Sequence, residues 1–256
     1  MKITFDKYID NPAGGSVFTN RSMYKNMYLT KFNKLLVREQ GLIRFRIFRS
    51  DDAFDAYYIY MKIPSEVVDN FYYDVVIKLY TDDNEKKNSA NLRGYYVKFY
   101  ANDPAFVYTF AYTFAHSELF VNELSSKMSN KYIQHEAKVK NPGNNVWYVK
   151  SLYFAYLTME KYNLFNRVML NNNALRYKKN ALLALVTQAE LKVKARQDAQ
   201  ERINKEKKEA KKKQQIEKEK LRNQSIQVKH SNMISSTKQT QSVKSTRSTR
   251  RSRTIK

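Results

Sequence analysis

The spacing of apolar residues changes twice along the first 170 residues. Spacings of three and four over residues 20–39 predict an amphipathic helix. Apolar and polar residues then alternate, which predicts strands over 42–48, 56–63, 71–80, 95–100 and 106–114. A helical spacing returns over 118–128 and 151–165. One helix, several strands and then further helices indicate an α+β domain with a mainly antiparallel sheet of four or five strands.

Alternation within the predicted strands divides their side chains between two faces of the expected sheet. One face is apolar, and it consists of Ile43, Phe45, Ile47, Tyr57, Ile59, Met61, Ile63, Tyr73, Val75, Ile77, Leu79, Tyr95, Val97 and Phe99. The opposite face, called here the tyrosine–cation face, holds Asp74, Val76 and Tyr80 together with the candidate site residues Arg44, Arg46, Tyr58, Tyr60, Lys62, Lys78, Tyr96, Lys98 and Tyr100.

The tyrosine–cation face has the composition of a surface that binds single-stranded nucleic acid. Aromatic rings stack on bases while cations follow the phosphates. The alternative is structural, because tyrosine is a good strand former whose ring suits a half-exposed face. In that case the face is solvated, or it is covered by the helical segments predicted at 151–165 and 174–195.

Beyond residue 171 the chain can no longer build a core of its own. Only Tyr177 of the 35 aromatic residues lies there, and no Gly or Pro is present. A helical apolar spacing over 182–193 then thins out, which predicts one long helix over 174–223 that is docked at its start and solvated later. Residues 226–256 combine eight Lys or Arg with no acid and many Ser, Thr and Gln, which predicts a disordered tail. We therefore predict three segments, 1–171, 172–225 and 226–256.

Most of the positive charge lies in the two C-terminal segments. The 256 residues carry a formal net charge of +23. Residues 1–171 hold 23 basic and 17 acidic residues, a net charge of +6, and residues 172–256 hold 24 basic and 7 acidic residues, a net charge of +17. Binding of such a segment to a polyanion releases counterions, so its affinity should fall steeply with salt. The predicted phosphate-binding residues are Lys211, Lys212, Lys213, Lys229, Lys238, Lys244, Arg247, Arg250, Arg251, Arg253 and Lys256.

The charge indicates a nucleic-acid partner, DNA in preference to RNA. An acidic protein surface and incidental charge are the alternatives for the tail. A membrane partner is disfavoured, because the tail has no apolar anchor and no run of residues approaches the roughly 18 apolar residues of a spanning helix.

Most catalytic chemistry is disfavoured by the composition. The absence of Cys excludes disulfides, thiolate zinc sites, iron–sulfur clusters and cysteine nucleophiles. His116 and His135 lie near glutamates without the spacing of a helical metal motif. The acidic clusters at 51–55 and 82–85 fall in predicted loops, where carboxylates are common turn formers. We therefore expect no metal, no cofactor and no enzymatic activity, with a metal-dependent nuclease as the alternative.

Several short stretches of the first 170 residues combine polar and aromatic residues in a distinctive way. They are Asp10-Asn11-Pro12, Asn20-Arg21, Leu35-Leu36-Val37-Arg38-Glu39, Lys62-Ile63-Pro64-Ser65-Glu66, Phe71-Tyr72-Tyr73-Asp74-Val75-Val76, the stretch 102–109 and the stretch 150–156. Together they resemble a group of uncharacterised proteins of AT-rich tailed bacteriophages. The resemblance does not include the tail and carries no catalytic residue. It implies a phage-encoded protein made in the bacterial host cytoplasm, with incorporation into the virion left open.

Two hypotheses follow for the function. In the first, the chain is a non-enzymatic nucleic-acid-binding protein that holds phosphates through its basic C-terminal extension, while the α+β domain provides self-association or a specific contact. In the second, it is a virion structural or assembly protein, whose domain packs against other subunits and whose tail contacts packaged DNA.

Overall fold

The computed structural model of the protein describes residues 2–10, 21–50, 55–84, 86–139, 141–146 and 149–248. The chain divides into two compact units, Met1–Gln200 and Glu201–Lys256. The first unit contains the sheet and extends past the predicted boundary at 171. In the second unit, the residues that the structure describes all belong to one helix.

The first unit is built on a five-stranded sheet. Its strands are β1 (Phe45–Ser50), β2 (Asp55–Pro64), β3 (Tyr72–Thr81), β4 (Tyr96–Ala101) and β5 (Ala174–Arg176). Their order in the sheet is β4-β3-β2-β1-β5. The four strands that contain the alternating pattern pair antiparallel, and only β5 runs parallel, beside β1. The predicted α+β class with a mainly antiparallel sheet is therefore confirmed.

The described residues also form eight α-helices of different lengths. They are α1 (Phe5–Asp10), α2 (Arg21–Arg38), α3 (Ala111–His116), α4 (Asn130–Gln134), α5 (Lys150–Lys161), α6 (Arg167–Asn173), α7 (Lys179–Leu185) and α8 (Ala189–Ser248). A π-helical turn, Phe106–Phe110, precedes α3, and 3₁₀ segments cover Lys86–Asn88, Leu92–Gly94 and Asn122–Lys127. The predicted helices at 20–39 and 151–165 correspond to α2 and α5.

The predicted fifth strand at 106–114 is wrong, because this segment is helical. Asp103 accepts hydrogen bonds from the backbone N–H groups of Ala105 and Phe106, at 3.0 and 3.1 Å, and so caps the start of the helical segment. Phe106, Phe110 and Phe114 are spaced by four residues and are all buried. An apolar run of this length fits both helix and strand, and the cap decides for the helix.

The predicted helix at 118–128 is reduced to the 3₁₀ segment Asn122–Lys127. Before it, Phe120 pairs with Phe99 beside the edge strand β4, with Phe99 N–H donating to the Leu119 carbonyl and Val121 N–H to the Phe99 carbonyl. The backbone of 119–121 is therefore used for sheet-like pairing.

The long C-terminal helix begins later and ends later than predicted. Residues 174–188 form β5, α7 and an elbow at Thr187, whose N–H donates to Asp74 and whose carbonyl accepts from Asn102. These two bonds hold the elbow in a non-helical conformation. At its other end α8 extends to Ser248, beyond the predicted limit of 223, because no Gly or Pro interrupts the helix. The last part of the predicted tail, 249–256, lies outside the described residues.

Helices cover both faces of the sheet. On the apolar face α1, α3 and α5 meet the strands, with the Phe5 and Phe114 rings 5.1 and 5.7 Å from the ring of Phe99. On the tyrosine–cation face the cover comes from the segment Asn122–Lys127, α7 and the first turns of α8. The buried side chains of this cover include Leu124, Leu182, Val186, Ala189 and Val193. The predicted surface is therefore in large part an interior layer.

Candidate nucleic-acid interface

The register of the strands places the predicted tyrosines and cations side by side. Arg46 pairs with Tyr60 between β1 and β2, and Tyr58 pairs with Lys78 between β2 and β3. Lys78 pairs with Lys98, and Tyr80 with Tyr96, between β3 and β4. Paired residues share a face, so the strands form the tyrosine–cation face as predicted.

The middle of this face is closed to solvent. Tyr58, Tyr60 and Tyr100 are only 3%, 4% and 0% exposed. The ring of Tyr58 stacks on that of Tyr177, with centroids 4.2 Å apart. These three rings therefore have no open side on which a base can stack, and the alternative of a covered face applies to them. The covering elements include α7 and the start of α8, as expected for 174–195, together with the segment Asn122–Lys127, while α5 packs on the opposite face.

The hydroxyl groups of the three tyrosines are also used internally. Tyr58 donates to Glu123 Oε1 at 2.6 Å, Tyr60 to Asp74 Oδ1 at 2.8 Å and Tyr100 to the Lys127 carbonyl at 3.1 Å. Burial is the main cause that raises the pKa of each phenol, and the neighbouring carboxylates add to it. Glu123 also accepts from Lys78, which removes that cation from the set available to a ligand.

One end of the face remains open and forms a basic groove. Arg44, Arg46 and Lys62 are exposed and line a cavity of about 360 Å³ together with Ala184 and Leu185 of α7. The backbone N–H of Lys62 on β2 donates to the carbonyl of Arg44 at 2.9 Å, so Lys62 lies opposite the residue that directly precedes β1. We call Arg44, Arg46 and Lys62 the groove cations.

The groove cations are not neutralised by the protein. Within the parts of the chain that the structure describes, no carboxylate lies within 4.0 Å of any of them. Asp74 pairs with Lys62 in the register, but its carboxylate accepts from Tyr60, Asn102 and the Thr187 N–H instead. Like charges opposite each other on a sheet repel, so an anion in the groove would relieve this repulsion.

The opposite end of the face keeps a smaller half-exposed patch. The rings of Tyr80 and Tyr96 are 5.8 Å apart, and Lys98 Nζ lies 5.7 Å from the Tyr80 ring. Lys2 and Lys86 also lie over Tyr96, but they pair with Asp82 and Asp83 respectively. This patch carries two half-exposed tyrosine rings, whereas the tyrosine at the groove, Tyr60, is buried.

The predicted phosphate-binding residues of the extension lie on α8 or beyond it. Lys211, Lys212 and Lys213 are exposed. Successive residues of a helix point about 100° apart, so these three cations are distributed around α8. Lys229, Lys238, Lys244 and Arg247 lie within the range of α8, and Arg250, Arg251, Arg253 and Lys256 lie outside the described residues.

The candidate catalytic groups have structural surroundings. Asp55 accepts from Arg167 and from the Tyr95 hydroxyl, at 2.6 and 2.7 Å. His116 stacks on Tyr112 at a centroid distance of 3.9 Å. Asp51, Asp52 and Glu85 lie outside the described residues. In the described part of the chain there is no cluster of three or more His, Asp or Glu that could hold a metal ion, and no helix is long and apolar enough to cross a membrane.

Comparisons of the chain with family models, with curated proteins and with solved structures found no match. What the site can bind is therefore inferred from the positions and charges of its own residues.

Proposed function

We propose that the protein is a non-enzymatic nucleic-acid-binding protein that holds phosphates at the groove cations and along its basic C-terminal extension. The observation that carries the proposal is the set of three exposed cations, adjacent at the start of β1 and the end of β2 and without an acidic partner in the described residues. A phosphate backbone supplies closely spaced negative charges that match such a row.

The geometry favours electrostatic contact over base stacking. Tyr60 at the groove is buried, and Phe45 is only half-exposed with its ring 5.1 Å from that of Tyr162, so the groove offers mainly arginine and lysine. Contacts of this type fix a nucleic acid in place without reading its sequence. We therefore expect binding with little sequence preference, strong salt dependence and only a secondary contribution from Tyr80 and Tyr96.

The test compares three versions of the full chain. One carries Arg44→Gln, Arg46→Gln and Lys62→Gln, and a matched control loses the same charge at the exposed residues Lys7, Lys34 and Lys138. Dissociation constants for duplex DNA, single-stranded DNA and RNA are measured between about 50 and 200 mM salt. We expect the groove variant to bind more weakly and the slope of log K against log salt to fall by about 2 to 3.

The control variant should keep a slope close to that of the unmodified chain. Equal losses in the groove and control variants would show that only net charge matters and would remove the groove from the site. An unmodified chain that binds none of the three nucleic acids at about 50 mM salt would refute the function.

The extension is tested separately by replacing its eight cations from Lys229 to Lys256 with Gln in the full chain. Because these residues carry no acid among them, their loss should weaken binding to all sequences alike and reduce the salt slope further. The phage setting, incorporation into a virion and the preference for DNA remain predictions, and mass spectrometry of purified particles would test the virion.

A further inference from the structure

A second cavity lies on the apolar side of the sheet, away from the groove cations. Its volume is about 230 Å³. The ends of β2 and β3, the start of α5 and an early turn of α8 enclose it, and its apolar wall comes from Ile63, Val67 and Phe154. A mostly apolar cavity with a few convergent polar groups is the usual form of a small-ligand site.

The carboxylates at the cavity are already satisfied by other groups. Glu66 pairs with Lys150 and, at 3.5 Å, with Lys31. Burial opposes ionisation of Glu66, but the hydrogen bond and charge of Lys150, together with Lys31, lower its pKa below the ordinary value. Asp103 accepts from the Ser151 hydroxyl as well as from the two N–H groups that it caps. Glu66 and Asp103 therefore both have other partners within the protein.

Arg196 is the cation that remains uncompensated at this cavity. Its Nε donates to the Tyr73 hydroxyl at 2.9 Å, which fixes the guanidinium against the wall. Burial raises the pKa of Tyr73, so the phenol is neutral and does not balance the charge. No carboxylate lies within 4.0 Å of Arg196 in the described residues. A half-buried guanidinium with free donors suits a planar anion.

We infer that this cavity binds a small organic monoanion, a carboxylate on a short apolar body, with the carboxylate on Arg196 and the body against Phe154, Ile63 and Val67. One uncompensated cation matches one negative charge, and the apolar wall favours a hydrocarbon body over inorganic phosphate. The cavity shares no residue with the basic groove, so this inference does not depend on nucleic-acid binding.

The test is isothermal titration calorimetry of the full chain with benzoate and hexanoate, with benzamide and inorganic phosphate as the matched neutral and purely ionic probes. We expect a carboxylate to bind and both comparison probes to fail. Arg196→Gln should weaken carboxylate binding about tenfold or more, the usual range for loss of a charged hydrogen-bonding partner.

Two further variants separate ligand binding from folding. Val67 is 53% exposed on a loop, so Val67→Trp should fill the cavity and abolish binding while leaving the unfolding midpoint nearly unchanged. Lys138→Gln, at an exposed lysine outside both the cavity and the groove, should bind the carboxylate like the unmodified chain. Absence of carboxylate binding at about 10 mM, equal binding of benzamide or phosphate, or unchanged binding in both Arg196→Gln and Val67→Trp would overturn the inference.

Discussion

At the residue scale, Asp74 determines how the tyrosine–cation face is covered. Its carboxylate is buried on β3 and accepts from Tyr60, from Asn102 and from the N–H of Thr187. One side chain thereby satisfies a sheet tyrosine, the amide that follows β4 and the elbow between α7 and α8. Asp74 lies opposite Lys62 in the strand register. Because its buried carboxylate accepts from three donors of the protein, its role is to stabilise the fold.

Replacing Asp74 with Ala should lower the free energy of unfolding by about 3 kcal/mol, because three donors lose their acceptor in the interior. Urea unfolding of the full chain followed by circular dichroism measures the change. Asp69→Ala is the matched control, since its carboxylate is 83% exposed and pairs with Arg38 at the surface, and it should cost less than about 1 kcal/mol. Similar costs for both variants would contradict this role.

Glu66 should give the fold a pH dependence of its own. Burial raises its pKa, but Lys150 and Lys31 outweigh burial and bring the folded-state pKa below the unfolded value of about 4.3. A depressed pKa contributes stability that is present above the unfolded pKa and is lost as the pH falls through the folded pKa. Glu66→Gln should therefore be less stable than the unmodified chain at pH 7, and the difference should shrink towards pH 3. A difference independent of pH would argue against the pairing.

At the element scale, helices and strands with a clear periodic spacing of apolar residues could be predicted from the sequence. Elements that depend on contacts with distant parts of the chain could not. The alternation identified β1 to β4, and the three–four spacing identified α2 and α5. The apolar residues of 106–114 fit the spacing of a strand as well as that of a helix. The hydrogen bond from the Phe106 N–H to Asp103 caps a helix at this point. The strand β5 was missed because three residues carry no period and are a strand only through pairing with β1.

The segment that follows β5 should depend on one aromatic contact for its attachment. Tyr177 stacks on Tyr58 with an interplanar angle of 11°, and α7 follows directly. Tyr177→Ala should lower the free energy of unfolding by about 1 to 3 kcal/mol through lost stacking and burial. Tyr177→Phe keeps the ring and should cost less. Thermal unfolding of both full-length variants gives the comparison, and an Ala variant as stable as the Phe variant would show that stacking contributes nothing.

At the scale of the whole molecule, the main feature is that the first unit holds the hydrophobic core and the second unit is rich in cations. The first unit holds the sheet, its covering helices and, among the side chains that the structure describes, every buried apolar residue, the last of which is Val193. The second unit, where side chains are described, is helix that is exposed except for the half-buried Ile203, and it has a net excess of cations. Folding and the electrostatic contribution of the extension should therefore be separable by truncation.

A chain of residues 1–200 should unfold at nearly the same urea concentration as the full chain, whereas a chain of residues 1–175 should be several kcal/mol less stable. The shorter chain loses Leu182, Val186 and Val193, which are buried, and each buried aliphatic side chain contributes about 1.5 to 3 kcal/mol. Circular dichroism of both truncations provides the measurement. Equal midpoints for the two truncated chains would show that the cover over the tyrosine–cation face is dispensable.

The sequence alone determined which side chains share a face and where the charge lies. Alternation is a local property of extended backbone, so Arg44, Arg46 and Lys62 could be grouped before their surroundings were known. The coreless basic extension was equally visible, because composition decides whether a segment can bury enough apolar surface. Only the tertiary structure decided that Tyr58, Tyr60 and Tyr100 are buried and that the groove cations remain open. Burial depends on the segments that pack against a face, and here they come from residues 120–127 and 177–193, too far along the chain for local spacing to reveal.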